Sequence, residues 1–141
     1  MWKTDINFLA VLASGVASMV IGFLWYSPAL FGKIWMKEKG WSPEFLEQNK
    51  KQMNMGAIYF LTFICILIVA TVLAIFIAHI GSISLRHGLE ISFLAWVGFV
   101  ATVMFTNMLF SEKKSFKLFL IDSFHWLAVF LTITIILTVW R

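Results

Sequence analysis

Four stretches of this chain are nearly free of charge, and each is long enough to cross a membrane. Residues 6–32 and 52–85 contain no Lys, Arg, Asp or Glu, residues 91–111 repeat the pattern, and residues 118–140 hold a single acid, Asp122. An α-helix rises about 1.5 Å per residue, so roughly 20 apolar residues span a hydrocarbon core of about 30 Å. The class that follows is all-α: a four-helix transmembrane bundle with an interfacial amphipathic helix between helices one and two. The spans are expected at about 7–26, 53–79, 89–110 and 116–140, in one integral membrane domain over residues 1–141.

Composition agrees, with 61% hydrophobic and only 13% charged residues, where a soluble domain carries about one quarter. The net charge of +4 does not point to nucleic acid, because the basic residues lie almost entirely between the apolar stretches. The lone Cys65 allows no intramolecular disulfide and reads as a small buried side chain. The first stretch outruns a secretory h-region and lacks a small-x-small cleavage site, so it reads as a retained helix. GxSxG, P-loop, GxGxxG and HExxH patterns are missing. No catalytic residue and no cofactor are expected.

Pro28 should stop the first helix, and Gly81-Ser82 the second. Short polar turns at Gly81–Gly88 and Ser111–Ser115 predict that helices two to four form an antiparallel meander. The longer link over 28–52 is different. Leu30, Phe31, Ile34 and Trp35 fit one helical face with lysines opposite, which suits a helix lying in the headgroup plane. Gly40 should end it. Ser42-Pro43-Glu44 then reads as N-cap, first helical residue and first-turn acid of a second polar helix that runs on into the second span.

The links after helices one and three carry eight lysines (33, 37, 39, 50, 51, 113, 114 and 117), against Lys3, Arg86 and Arg141 on the other side. The positive-inside rule puts the eight-lysine side in the cytoplasm. The protein is therefore expected in the cell membrane as a multi-pass protein, with both termini outside and residues 27–52 and 111–115 cytoplasmic.

Two blocks carry a resemblance. The first runs Gly22-Phe23-Leu24-Trp25-Tyr26-Ser27-Pro28-Ala29-Leu30-Phe31-Gly32-Lys33-Ile34-Trp35. The second comprises Trp96-Val97-Gly98-Phe99-Val100-Ala101-Thr102, Asn107, Leu109-Phe110 and Lys117-Leu118-Phe119-Leu120-Ile121-Asp122. Together they resemble a bacterial family of small four-helix membrane proteins, domain of unknown function 1761. The likeness implies the fold and an inner-membrane location; it implies no activity. The chain departs from the family pattern in helix four. There Phe124-His125-Trp126 fills a stretch associated with a glycine-tyrosine pair, and residues 133–137 are bulkier than the family's small residues.

Asp122 is the sharpest candidate, since a carboxylate at the centre of a membrane helix costs about 2.5–3.5 kcal/mol on insertion scales. It lies about 9 Å into its helix by the helical rise, with His125 and Trp126 on the same face at i+3 and i+4. Asn107 on helix three lies at similar depth, and Trp25 and Tyr26 reach the same interface. The candidate ligand site is therefore Asp122, Asn107, His125, Tyr26, Trp25 and Trp126. It suits binding of a lipid or small amphiphile; the alternative is a small transporter or proton-coupled channel that relays protons through Asp122 and His125. The plainer reading is that Asp122 pairs locally and locks a hairpin, while Trp25 and Tyr26 belong to an aromatic belt.

His79, His87 and Glu90 match no metal motif, and no metal site is expected. Ala10, Ser14, Ser18 and Gly22 recur every four residues, a small-residue stripe that another span or a second copy would fill. The expected partners are therefore membrane lipids and a further copy of the chain in a homo-oligomer.

Overall fold

The computed structural model describes residues 5–81 and 84–140, so Lys3, Ser82 and Arg141 lie outside the described residues. All regular elements among them are helical: α1 (Phe8–Trp25), α2 (Gly32–Lys39), α3 (Pro43–Asn49), α4 (Met55–Ile80), α5 (Leu85–Ala95), a π-helical turn (Trp96–Ala101), α6 (Thr102–Leu109) and α7 (Phe116–Val139). Four helical stretches are long and apolar enough to cross a membrane: α1, α4, the run from α5 through α6, and α7.

Polar caps set where the long helices begin. The Asn7 carboxamide oxygen accepts from the Leu9 and Ala10 amides, both at 3.1 Å. Asn54 accepts from Ala57, Ser84 from His87 and Ser115 from Leu118. Each cap satisfies amides that a helix leaves without an internal partner. Asn7 also donates to the Trp140 carbonyl at 3.3 Å, which ties the start of α1 to the end of α7.

Three boundaries differ from the sequence-based expectation. Ser84 caps α5, so the third span starts at Leu85 rather than Leu89, and Gly88 is a buried helical residue rather than part of a turn. Among the described residues of the expected Gly81–Gly88 turn, only Gly81 carries a positive φ, 89°. In the long link, Gly40 ends α2 with φ 73°, and Ser42 caps α3 through the Phe45 amide, as the sequence suggests. However, α3 stops at Asn49 and a fresh cap at Asn54 starts α4, so the polar helix does not run on into the second span.

The packing is not a simple meander. Consecutive in the chain, α4 and α5 barely touch; α4 packs chiefly on α1, and α5 with its π turn packs on α7. α7 is therefore the central helix, held between α1 and the third span. The small stripe on α1 is filled by the same chain: Ala10, Ser14 and Ser18 are buried, and Gly22 faces His125 of α7. Gly15, one step round the helix, lets Phe63 and Leu67 of α4 approach closely. The bulkier residues of α7 are accommodated, with Ile133 and Thr134 fully buried and Thr134 hydrogen-bonded to Ser92 of α5.

The burial pattern is inverted relative to a soluble protein. Ser14, Ser18, Ser92, Ser123 and Thr134 sit inside, while Phe8, Leu9, Phe60, Leu94, Phe99 and Phe110 face out. Lipid removes the penalty for outward Phe and Leu, and small residues inside let backbones approach. Cys65 takes the outward side as well. It is exposed on α4 rather than buried, because the inner face of that helix belongs to Ile66, Ala70, Leu73, Ala74 and Ile77.

Candidate ligand site beside Asp122

The segment Trp25–Gly32 reverses the chain within a few residues. Phe31 donates to the Trp25 carbonyl at 3.0 Å and Gly32 to the Ser27 carbonyl at 3.0 Å. This reversal lays α2 against the start of α7. Ser115, the cap of α7, donates to Glu38 at 2.5 Å, placing a carboxylate beside a helix N-terminus, where the dipole favours it. Trp35 thus turns inward, toward α7.

Four aromatic donors converge on three consecutive residues of α7. The Tyr26 hydroxyl donates to Asp122 Oδ1 at 2.7 Å, and Trp35 Nε1 donates to the same oxygen at 2.9 Å. Trp25 Nε1 donates to the Ile121 carbonyl at 3.0 Å, and Trp96 Nε1 to the Ser123 carbonyl at 2.7 Å. Asp122 is half-buried and, among the described residues, makes no ion pair with Lys or Arg. A phenol and an indole, rather than a cation, hold the carboxylate through charge-assisted hydrogen bonds.

The candidate residues divide between two sides of this clamp. On one side, Asp122 borders a shallow groove of about 180 Å³ with Asn107, Ser111 and Ser115. Asn107 is exposed there. On the other side, Tyr26 and His125 line a cleft of about 270 Å³ between α1, α4 and α7, with Ser18, Met19, Gly22 and Tyr59. The His125 ring lies 5.1 Å from the Tyr26 ring and 5.6 Å from that of Trp126. Trp126 meets the cluster through His125, and Trp25 serves the α7 backbone.

Trp35, Trp96 and Ser18 belong to this region and are not among the sequence candidates. Trp35 carries one signal, its place on the apolar face of α2. Ser18 carries another, its position in the small-residue stripe. At the far end of the bundle, Glu90 pairs with Arg86 at 2.9 Å and His79 Nδ1 lies 3.0 Å from the Ile75 carbonyl, so these side chains are engaged locally.

The profile of the family described as "Protein of unknown function (DUF1761)" matches residues 9–138. No curated protein and no solved structure matches the chain.

Proposed function

Because the chain belongs to the DUF1761 family, whose description assigns no activity, its function has to be read from the site, and we propose that the protein binds a lipid or small amphiphile in the cleft beside Asp122. The observation that carries this reading is the cleft itself. It opens at the α1–α4 seam, where Phe23, Ile58 and Tyr59 are exposed and Phe23 meets Tyr59 edge to face at 5.2 Å. Its interior mixes apolar wall with a few polar groups, the make-up of a small-molecule site. A chain entering from the lipid side would never leave apolar surroundings. Native mass spectrometry in mild detergent reads bound ligand and oligomeric state together. A co-purified amphiphile is expected, and wild-type protein that never carries one, even when lipid is added back, rules the reading out.

A second reading, the small transporter or proton-coupled channel, draws on one feature. Tyr26 lines the cleft and bonds to Asp122, which lines the groove, so a single hydrogen bond separates the two cavities. Uptake into liposomes that depends on a proton gradient supports transport; bound lipid without flux supports binding.

The lysine-rich side, with Asp122 and both cavities near it, is read as cytoplasmic in the cell membrane of a bacterium, with both termini outside. In a Cys65→Ala background, a cysteine placed at Gly40 should resist an impermeant thiol reagent in intact cells, whereas one at Gly81 should react. Labelling at position 40 reverses the assignment.

A further inference from the structure

Two polar atoms of the cleft are buried and have no hydrogen-bond partner: Ser18 Oγ and His125 Nε2. Ser18 is 1% exposed and His125 8%, and both side chains line the cleft. Buried polar atoms are almost always paired, because leaving one unmet forfeits its hydration without return. His125 Nε2 is 3.4 Å from where a Cβ on Gly22 would stand, and Gly22 follows Ser18 by four residues on the same face of α1. Along α1 the two places lie about one helical turn apart. Glycine at 22 places no side chain against the imidazole edge on the cleft side.

The lining contains no Lys, Arg, Asp or Glu. A phosphate, carboxylate or ammonium headgroup seated here would be a charge in low dielectric without a direct ion pair, which is strongly unfavourable. Serine and neutral histidine can each donate or accept one hydrogen bond at these atoms. Between them they match one uncharged oxygen.

We propose that the cleft takes an uncharged, single-chain amphiphile whose hydroxyl or carbonyl oxygen is held by Ser18 Oγ and His125 Nε2, with its chain leaving between α1 and α4. This rests on the amphiphile reading above and adds the headgroup. A hydroxyl would accept from Ser18 and donate to His125; a carbonyl would accept from both. Tyr26, committed to Asp122, forms the end wall rather than a ligand contact.

The test uses the full chain in detergent with a long-chain alcohol that carries a diazirine in its tail. Saturable photolabelling of cleft residues is expected. Hexadecanol and the matched ketone separate the hydroxyl from the carbonyl source as competitors, while palmitate and hexadecylamine should compete about tenfold less well. Ser18→Ala should weaken labelling about fivefold, the scale of one lost hydrogen bond. It should leave thermal stability unchanged, because Ser18 Oγ gives up no protein partner. His125→Phe should weaken labelling similarly and His125→Gln should restore part of it. If His125→Phe does not fold, Ser18→Ala decides alone. Equal competition by all four chains, or labelling indifferent to Ser18→Ala, overturns the headgroup assignment while leaving amphiphile binding intact. If no chain gives saturable labelling, the two atoms meet water only and both readings fall.

Discussion

Gly32→Ala is expected to detach α2 from α7 and to cost about 3 kcal/mol, the upper part of the range for overfilling a packed site. A Cβ at residue 32 would stand 2.3 Å from the Tyr26 carbonyl oxygen and 2.8 Å from the Ser27 carbonyl. Those are backbone atoms, so no side chain can swing aside to make room. The reversal must open, breaking the bonds from Phe31 to Trp25 and from Gly32 to Ser27. Tyr26 and Trp35 then no longer meet on Asp122. Thermal unfolding in detergent measures the loss, and trypsin should cut at Lys33, Lys37 and Lys39 faster than in wild type. Gly40→Ala is the control. Its φ of 73° is strained for alanine, but nothing lies within 4 Å, so about 1 kcal/mol is expected. Equal stability of Gly32→Ala and wild type would mean that the reversal is not closed in the membrane protein.

The reversal also explains why the Trp25–Trp35 block is so distinctive a piece of sequence. It reads as an interface motif, because tryptophan and tyrosine suit headgroup depth whether or not they do anything else. Depth is legible from sequence in a membrane protein, since lipid imposes the length of each span and charge marks its ends. For the same reason the spans, Gly40 as a stop and Ser42 as a cap can all be read directly. What sequence does not carry is azimuth, the direction a residue faces around its helix.

Asn107 shows the difference. Its depth matches that of Asp122, but the π turn at Trp96–Ala101 adds a residue to the third span, shifting the phase of everything after it by about 100°. Asn107 ends exposed in the groove, while Trp35, 87 residues from Asp122 in the chain, takes the hydrogen bond. The π turn itself has no signature beyond Trp96, whose indole it points at the Ser123 carbonyl. Ser18 poses the same problem in another form. Its period of four correctly marks a packing stripe, yet the residue lies where the stripe opens into a cleft, and period cannot tell a filled position from an open one. The partner of α4 is hidden too. Few residues separate α4 from α5 in sequence, which favours them as neighbours, but α1 offers Gly15 and a small-residue face, and that surface wins.

Asp122 decides whether the clamp is architecture alone. Asp122→Asn should keep the fold, since the amide oxygen can accept from both Tyr26 and Trp35 where Oδ1 does now. Any activity that needs a titrating carboxylate should vanish in that variant, and ligand held only in the cleft should stay. Asp122→Leu leaves a phenol and an indole N–H without an acceptor in a part-buried site, at about 1–3 kcal/mol for each stranded donor. The cost of placing a carboxylate in a membrane does not offset this, because that cost is present before and after helix packing and cancels from the unfolding equilibrium. A net loss of roughly 2–6 kcal/mol is therefore expected from the two donors together. Tyr26→Phe supplies the cross-check, since it removes the hydroxyl and keeps the ring. It should cost about 1.5–3 kcal/mol in the wild-type background, as for a hydrogen bond to a charged group, whereas in the Asp122→Leu background it should restore about 1–3 kcal/mol by removing the stranded hydroxyl. Additive losses would show that Tyr26 and Asp122 act independently. A more stable Asp122→Leu protein that still retains its amphiphile would make the carboxylate dispensable, and the transport reading would go with it.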